Sequence, residues 1–447
     1  MAFAIVMPPL QVPDEEAHFI RAYVISRGEN IGKAIPKIPA PIASFVMRYP
    51  EMADQFHWFT PQEIVRDLST RTVAPADAVL SNEDGHHKYL LAGVIASSVY
   101  CPLVYVPAVL GVWLARSLHA SPLLMMYAAR LFSIFAFVGA LAVAFRLAPG
   151  YRALMTAVAL MPMTLQQAGG VSADTVTIAF SFVGLGLVLY AREHPVTRRF
   201  LALVVLVFVM WSLCKFSIWS FPLLWLIPAS NFKNRRAWLA YIGVAAVCMV
   251  GALLIWNGIT ADNREALRTV RLAHGVDISA NVRLVAAHPL AFARHLLALV
   301  RHTYKSEVGQ FVGGFAWTQF ALPAWVRSMY LLLLVLVAAT ELSNKSFRPW
   351  ERGVLLLVFF GGALFVHVVL SLSDTTLCAG NLSHVCLDSE PYVIHARYFI
   401  PMCLPGLLAL RQNRVNLSQT NLLALVTGAG TLHALAALVL IRWTCYL

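Results

Sequence analysis

Long apolar segments separated by short polar loops dominate the chain from residue 122 onward. The candidate segments are 122–146, 151–169, 175–192, 199–216, 218–231, 237–257, 327–342, 353–373, 395–411 and 420–441. A helix needs about 20 apolar residues to cross a membrane. Residues 1–7, MAFAIVM, are far shorter, and we interpret them as the remnant of a first transmembrane helix whose beginning is missing. The pattern predicts an all-α polytopic membrane protein with about 11 transmembrane helices, the first one truncated.

Basic residues mark one side of this predicted bundle. They cluster in the short loops at 146–152, 192–199, 233–236, 345–352 and 411–414. Cytoplasmic loops of membrane proteins carry an excess of Lys and Arg, so these loops predict the cytoplasmic side. The loops on the opposite side then carry most of the remaining polar sequence.

The domain organisation follows from this alternation. We expect a helix remnant at 1–7, an extracytoplasmic loop with juxtamembrane helices at 8–121, transmembrane helices at 122–257, an extracytoplasmic loop at 258–326, and C-terminal transmembrane helices at 327–447 with an outer loop at 374–394. Within the first loop, 100–118 is apolar but interrupted by prolines. We expect a juxtamembrane or re-entrant helix there rather than a span.

The amino-acid composition indicates the environment of the protein and the partners to expect. Hydrophobic residues make up 59% of the 447 residues and charged residues only 13%, whereas soluble proteins carry about 25% charged residues. The lipid bilayer is therefore an expected partner. The net charge of +12 would favour nucleic acid in a soluble protein, but the positive-inside loops account for it, and we expect no nucleic-acid partner.

Two of the seven cysteines share one polar loop. Cys378 and Cys386 lie in LCAGNLSHVCLD, while the other five lie in or beside apolar segments. In an oxidising compartment this pair would be a disulfide candidate. A metal site that adds His384 and Asp388 is the alternative, although the spacing lacks the tight CxxC form of zinc sites.

The segment with the densest group of candidate catalytic and binding side chains is PPLQVPDEEAHFIRAYVISRG at 8–28. Asp14, Glu15, His18 and Arg21 fall within two turns of a helix predicted over 15–27. Asp14 has two interpretations, which the sequence leaves open. It caps the helix, where a carboxylate is favoured, or it is a general base at the membrane face.

Two more charges lie at the predicted outer ends of apolar segments. Asp174, in GGVSADT, is either an acid of the site or a residue that favours the first turn of a helix capped by Ser172. Lys215, in LCKFS, either extends toward the lipid headgroups or binds a lipid phosphate. Charges inside a membrane are costly, which favours function.

Two later segments supply further candidates for substrate binding. HTYKSEVGQFVGGFAWTQF contains Glu307 and Trp317, and Trp317 is also typical of an interfacial anchor. VIHARYF contains His395, Arg397 and Tyr398 at the start of an apolar segment. An arginine on the outer side suggests an anionic ligand, because guanidinium groups bind phosphate in a bidentate manner.

The quoted motifs resemble the bacterial membrane-protein family known as domain of unknown function 2142. Its characteristic opening is matched by PPLQVPDEEAHFIRAY, and the order continues through YCPLVYVPAVLG, AARLFS, LMPMTLQQAGGVSADT, GGFAWTQFALPAW and ARYFIP. That family looks like part of the GT-C superfamily of polytopic glycosyltransferases. The resemblance implies a GT-C-like fold, catalytic acids at Asp14–Glu15 and Asp174, and phosphate binding at Lys215 and Arg397.

The implied activity is transfer of a sugar from a polyprenyl-phosphate donor to a glycan or lipid acceptor in cell-envelope synthesis. The implied location is the bacterial inner membrane, with the active site on the extracytoplasmic side. No cofactor is required by this interpretation, and a divalent metal, Mg²⁺ or Mn²⁺, between Asp14 and Asp174 stays open.

The alternatives are a transporter or flippase of a lipid-linked or anionic substrate, and a polymerase or ligase of surface polysaccharide. P-loop, GxGxxG, HExxH and GxSxG motifs are absent from the sequence, so nucleotide-driven transport gets no support.

Overall fold

The computed structural model describes residues 1–48, 66, 77–79, 88–215, 217–316, 319–340, 346–373, 377, 394–411 and 418–446. These residues are mostly helical. The α-helices are Ala2–Val6, Glu15–Ser26, Ala40–Arg48, Lys88–Ser98, Val106–Ser117, Pro122–Leu147, Arg152–Ala159, Pro162–Ala168, Ala173–Glu193, Arg198–Leu213, Arg235–Ile259, Ala261–Ala273, Ile278–Ala287, Pro289–Gly313, Ala324–Thr340, Pro349–Ser373, Ile400–Ala409 and Gln419–Tyr446. The prediction of an all-α polytopic architecture agrees with this helical content.

Short non-α elements connect these helices. The 3₁₀ helices are Pro102–Tyr105, Pro149–Tyr151, Ser217–Leu226, Ala229–Asn231 and Ala396–Phe399. Two small antiparallel strand pairs also occur, Lys37–Pro39 with Asp77–Val79 and Gly314–Phe315 with Phe320–Ala321.

Five helices are long and apolar enough to cross a membrane. They are Pro122–Leu147, Ala173–Glu193, Arg235–Ile259, Pro349–Ser373 and Gln419–Tyr446. Two bent helix pairs raise the number to as many as seven if each pair is one span. The predicted count of about 11 is not confirmed, because several apolar segments are broken into pieces too short to span.

Prolines account for several of these breaks. The predicted segment 151–169 divides into Arg152–Ala159 and Pro162–Ala168, and 218–231 begins as a 3₁₀ helix that contains Pro222. Proline lacks a backbone N–H and interrupts the hydrogen-bond ladder of a helix. The apolar pattern predicted helices correctly here but not their continuity.

Two of the three predicted outer loops, 8–121 and 258–326, contain bent helix pairs. Leu90–Ser98 and Pro102–Ser117 meet at 116°, and Ile278–Ala287 and Pro289–Gly313 meet at 111°. A bend of this size is typical of a broken span or a re-entrant loop. The expected juxtamembrane or re-entrant helix at 100–118 therefore stays a prediction. The described residues of 258–326 are largely helical, and their predicted extracytoplasmic location likewise stays a prediction.

The helix Ala173–Glu193 lies at the centre of the bundle. It packs against Pro122–Leu147, Arg198–Leu213 and Ile400–Ala409. Of its most apolar stretch 78% is buried, against 17–33% for the other four long helices. Those four expose many large apolar side chains, which a lipid bilayer would cover.

The two ends of this central helix carry different chemistry. Asp174 is in its first turn, and Arg192 is in its last turn, about 27 Å of helix away. Arg192 donates to Glu351 and to the Ser346 carbonyl, and the guanidinium of Arg411 lies over the Tyr151 ring. The described residues of four predicted basic loops, 146–152, 192–199, 346–352 and 411, thus converge at the end of the bundle opposite Asp174.

Candidate functional site

Four charged side chains from distant parts of the chain meet at the Asp174 end of the bundle. Lys215 Nζ lies 2.7 Å from Asp174 Oδ1, and Arg397 Nε lies 3.2 Å from Asp174 Oδ2. Arg397 Nη2 also donates a hydrogen bond to Asp14 Oδ2. We call Asp14, Asp174, Lys215 and Arg397 the charged cluster. All four residues were candidates from the sequence.

Asp14 does not act as a side-chain cap. It is the residue before the helix Glu15–Ser26, but its side chain accepts no hydrogen bond from that helix. Its backbone is left-handed, with φ of 64°, and Lys215 is likewise left-handed, with φ of 48°. Non-glycine residues pay a conformational cost there, and such strain concentrates at functional sites.

Asp174 combines both of its predicted interpretations. The Ser172 side chain accepts a hydrogen bond from the Asp174 backbone N–H, so Ser172 caps the helix Ala173–Glu193. The Asp174 carboxylate is then free to bind Lys215 and Arg397. Because the cap and the carboxylate belong to different residues, helix capping and the ion pairs do not compete.

Aromatic rings surround the two cations. The Tyr398 ring centroid is 4.8 Å from Lys215 Nζ and 5.2 Å from the Arg397 guanidinium carbon, and the Tyr100 ring is 5.9 Å from Lys215 Nζ. Ring faces attract cations within about 6 Å. The rings therefore stabilise the positive charge while leaving the cations able to exchange anionic partners.

The exposure of the cluster is uneven. The side chains of Arg397 and Asp174 are 2% and 4% exposed, whereas those of Lys215 and Asp14 are 15% and 34% exposed. The cluster is therefore open on the side of Asp14 and Lys215, where a carboxylate and an ammonium group reach its surface.

Electrostatics keep Asp14 ionised. Burial by itself would raise the pKa of the Asp14 carboxyl, but the neighbouring positive charges, Arg397 foremost, lower it below its ordinary value. A third of the side chain is exposed, so water screens part of this interaction. Asp14 is an anion at neutral pH, able to accept a proton once its cationic partner is engaged elsewhere.

Two histidines flank the cluster in the neutral form, His18 buried and His395 partly buried. Burial lowers the pKa of His18 to about 4, against an opposing effect of Asp14, and burial together with Arg397 lowers that of His395 to about 3. His18 Nδ1 lies 2.7 Å from the Tyr105 hydroxyl. Neutral imidazoles at this position can exchange hydrogen bonds without adding charge to the site.

Glu15 takes a different position from its neighbour Asp14. Its carboxylate binds Arg130 through two nitrogens, and both side chains are fully buried. Glu15 Oε1 also accepts from the Val171 N–H at 2.9 Å. Arg130 further donates to the carbonyls of Ala4, Met7 and Pro8. Glu15 therefore fixes the segment that carries Asp14, and we assign the predicted acid role to Asp14 alone.

The remaining predicted residues lie around or outside the cluster. Arg21 is one turn beyond His18 and donates to the Asn30 carbonyl, lining a separate cleft with Lys33. Glu307 is buried, with its carboxylate 3.4 Å from His367. Trp317, Cys378 and Cys386 lie outside the described residues, so their predicted roles stay predictions.

The described residues show no metal centre. No group of three or more His, Cys, Asp or Glu side chains among them is arranged to hold an ion. Asp14 and Asp174 each bind a cationic side chain instead. Arg397 contacts both acids, and the divalent metal that the sequence left open between them stays a prediction.

Several residues of the site were missed by sequence reasoning. Arg130 stood inside an apolar segment, where a charge is itself a signal. Tyr100 and Tyr105 lie in the quoted motif YCPLVYVPAVLG, but the sequence assigned them no role in the site.

The fold and the site together define a multi-pass membrane protein with a buried ion-pair cluster at one end. The chain belongs to the DUF2142 family, described as predicted membrane protein, whose family model matches residues 1–404. Searches of curated proteins and of solved structures found no match. The family assignment is confirmed, and it carries no activity with it.

Proposed function

We propose that this protein is a membrane glycosyltransferase that moves a sugar from a polyprenyl-phosphate donor to an extracytoplasmic acceptor. The observation that carries the proposal is the charged cluster. Two cations and two carboxylates, drawn from four segments, meet beside the surface of a membrane bundle. A lipid-linked sugar phosphate needs cations for its phosphate and a base for the acceptor, and both are present within one cluster.

In the proposed reaction Asp14 is the general base. Its carboxylate takes the proton from an acceptor hydroxyl as the acceptor oxygen bonds to the anomeric carbon of the sugar. The bond from that carbon to the phosphate oxygen breaks, and its electron pair leaves with the polyprenyl phosphate. The configuration at the anomeric carbon is inverted, because the acceptor attacks opposite the leaving group.

Lys215 and Arg397 hold the phosphate in this proposal. They stabilise the negative charge that develops on the leaving group, an effect that contributes strongly to catalysis in sites closed to water. Asp174 fixes both cations through its two carboxylate oxygens. It is a positioning residue, since it touches the cations and not the reacting atoms.

The ion pair between Asp14 and Arg397 suggests how the base is activated. In the absence of the sugar donor, the Asp14 carboxylate is paired with the Arg397 guanidinium, the group that the donor's phosphate would bind. A phosphate that replaces it leaves Asp14 with less positive charge nearby, and its pKa rises toward the ordinary carboxyl value. Donor binding would thereby convert a paired carboxylate into a stronger base.

We further propose that the site faces outward across a bacterial inner membrane. The charged cluster and the converging basic loops lie at opposite ends of the bundle, and basic loops favour the cytoplasm. A sugar polymer or lipid of the cell envelope is then the accessible acceptor. The arrangement requires no metal, since cationic side chains already face both acids.

Reconstitution separates this proposal from lipid transport. Full-length protein in proteoliposomes would be supplied with polyprenyl-phosphate sugars, labelled in the sugar, together with a mixture of envelope glycan and lipid acceptors. Transfer predicts label in the acceptor fraction and release of unglycosylated polyprenyl phosphate. Movement of intact donor between leaflets, with no labelled acceptor, would contradict the proposal and favour a flippase.

A further inference from the structure

The helix Pro289–Gly313 has one buried side and one exposed side. Phe292 and Leu299 are buried against the protein. Four large apolar side chains lie on the opposite side and are 46–75% exposed: Leu290, Leu297, Tyr304 and Val308. Three exposed cations lie beside them: Arg294, Arg301 and Lys305. Because 3.6 residues make one turn, these seven positions fall within an arc of about 100°. We call them the exposed face.

The cations of the exposed face have no anionic partner within the described part of the chain. The ion pairs found there do not include Arg294, Arg301 or Lys305. The only acid of this helix, Glu307, is buried on its other side. The exposed face therefore combines three positive charges with four apolar side chains, which complements a surface that is both apolar and anionic.

Contacts near the two ends of this helix show how it runs relative to a long apolar span. Asn281, in the short helix before it, donates to the Leu372 carbonyl, and Glu307 faces His367 at 3.4 Å. Leu372 and His367 are five residues apart, or about 7.5 Å along Pro349–Ser373, whereas this helix rises about 27 Å from its start to Glu307. A helix alongside the span would contact it at widely separated levels. This helix therefore crosses the end of the span.

That end of the span is also the end of the bundle that holds the charged cluster. The His367 ring stacks on Phe399, two residues after Arg397, with ring centroids 5.7 Å apart. Leu372 is the last residue but one of Pro349–Ser373. Because a span ends where the hydrocarbon core meets the headgroups, the exposed face lies at the level of the headgroups.

The cost of burying charge in lipid supports the same orientation. Arg294 and Lys305 are about 16 Å apart along the helix axis. If the helix crossed the bilayer, at least one of these exposed cations would enter the hydrocarbon core, which is costly. If the helix lies in the membrane plane, all three cations reach the headgroups while their aliphatic stems cover apolar surface.

We infer that the exposed face lies in the membrane surface and binds anionic phospholipid headgroups. Its apolar side chains insert at the boundary of headgroups and acyl chains, and its cations pair with lipid phosphates beside them. A zwitterionic headgroup carries its own cation next to the phosphate, so lipids with net negative charge are preferred. The inference does not rest on the proposed function, because it concerns no substrate, and it holds for either leaflet.

Brominated lipids in nanodiscs that contain the full chain test the preference for anionic lipid. A fluorescent amino acid replaces Leu297 by amber suppression, and the discs contain phosphatidylglycerol and phosphatidylcholine in equal amounts. In paired samples only one of the two lipids carries bromine, on acyl carbons near the headgroup. Bromine quenches fluorescence on contact, so the ratio of the two quenching efficiencies reports which lipid lies beside the exposed face.

We expect phosphatidylglycerol to be enriched about fivefold at the wild-type face, which corresponds to the attraction of about one cation near an anionic surface. Arg294→Gln with Arg301→Gln should reduce the enrichment to about twofold or less, and Arg294→Lys with Arg301→Lys should keep it. Arg268→Gln is the matched control, because this exposed arginine is already paired with Glu265. Continued quenching by phosphatidylcholine shows that the face of the double glutamine variant still contacts lipid.

Three results would overturn the inference: equal enrichment of both lipids at the wild-type face, an unchanged ratio in the double glutamine variant, or no quenching by either lipid. Absence of quenching would mean that water or another protein covers the face.

Lipids brominated at different acyl depths test the orientation of the helix separately. The fluorophore is placed at Leu290 in one sample and at Val308 in another, since these residues lie at opposite ends of the exposed face. In the membrane plane the two positions should lie within about 10 Å of the same depth, whereas a helix that crosses the bilayer would separate them by up to about 27 Å. A depth difference above about 10 Å would contradict the inference.

Discussion

At the scale of single residues, the proposed reaction depends most on Asp14, the proposed general base. Its left-handed backbone turns the side chain away from the helix it precedes and toward Arg397. A helix-capping side chain would accept a hydrogen bond from a backbone N–H. The Asp14 side chain instead accepts one from the Arg397 guanidinium. The local sequence does not distinguish these outcomes, because the partner lies 383 residues away.

The neutral histidine His18 predicts a pH dependence of stability. Its ordinary pKa of 6.5 is lowered to about 4 in the folded protein. The unfolded chain therefore binds more protons between these values, so stability is lost as the pH falls through that window and is constant above it. The difference corresponds to at most about 3 kcal/mol.

Thermal unfolding of purified protein between pH 7.5 and pH 4.5 measures this effect. We expect the midpoint to fall on acidification in wild-type protein and to fall less in His18→Gln, which cannot titrate but can still hydrogen-bond Tyr105. His274→Gln is the matched control, since His274 is exposed. Identical pH profiles for His18→Gln and wild type would contradict the account of a buried neutral imidazole.

At the scale of elements, the Glu15–Arg130 pair joins the N-terminal helices to Pro122–Leu147. Both side chains are fully buried. Glu15→Gln leaves the guanidinium without its anion, and breaking a buried ion pair costs about 3–5 kcal/mol. We expect a large drop in the unfolding midpoint and, because Asp14 is adjacent, a loss of activity.

A double variant tests whether this loss comes from the unpaired charge. Glu15→Leu combined with Arg130→Met removes both charges, so it should destabilise the protein by less than the sum of the two single variants. Additive effects would show that the two side chains contribute independently. An unchanged midpoint in Glu15→Gln would contradict the structural role of the pair.

The loop before Ala173–Glu193 depends on a close approach at Gly170. A Cβ atom placed there would lie 2.8 Å from both methyl groups of Val12. Gly170→Ala should therefore push the segment of Asp14 away from that of Asp174 and cost about 1–3 kcal/mol. Unfolding midpoints measure the cost, and Val12→Ala in the same chain should recover part of it. Gly243→Ala, which meets open space, is the control.

At the scale of the whole molecule, the separation of the charged cluster from the basic end predicts which surfaces face outward. Lys33 and His194 are both exposed, the first near the cluster end and the second beside Arg192. In intact cells a membrane-impermeant thiol reagent should label Lys33→Cys. It should label His194→Cys only after the membrane is permeabilised. The reverse pattern would contradict the proposed orientation.

The sequence predicted the helical class, the family and the four members of the charged cluster. It did so because intramembrane and interfacial charges stand out against apolar segments. It failed to predict the continuity of the spans, since proline breaks such as that at Pro162 depend on packing within the bundle. It also assigned Glu15 and Asp14 the same role, because adjacent residues point to different partners only in three dimensions. Arg130 stands out as a charge in an apolar segment, but its partner Glu15 lies 115 residues away, and no local pattern encodes that pairing.

Comparison of cell-surface glycans tests the central claim most directly. The gene would be deleted, or replaced by Asp14→Asn or by the control Asp262→Asn, with protein amounts measured in each strain. Asp262 is an exposed acid outside the site. We predict that one sugar linkage disappears in the deletion and in Asp14→Asn and is retained in Asp262→Asn, at equal protein levels. A wild-type glycan profile in the Asp14→Asn strain would contradict the account.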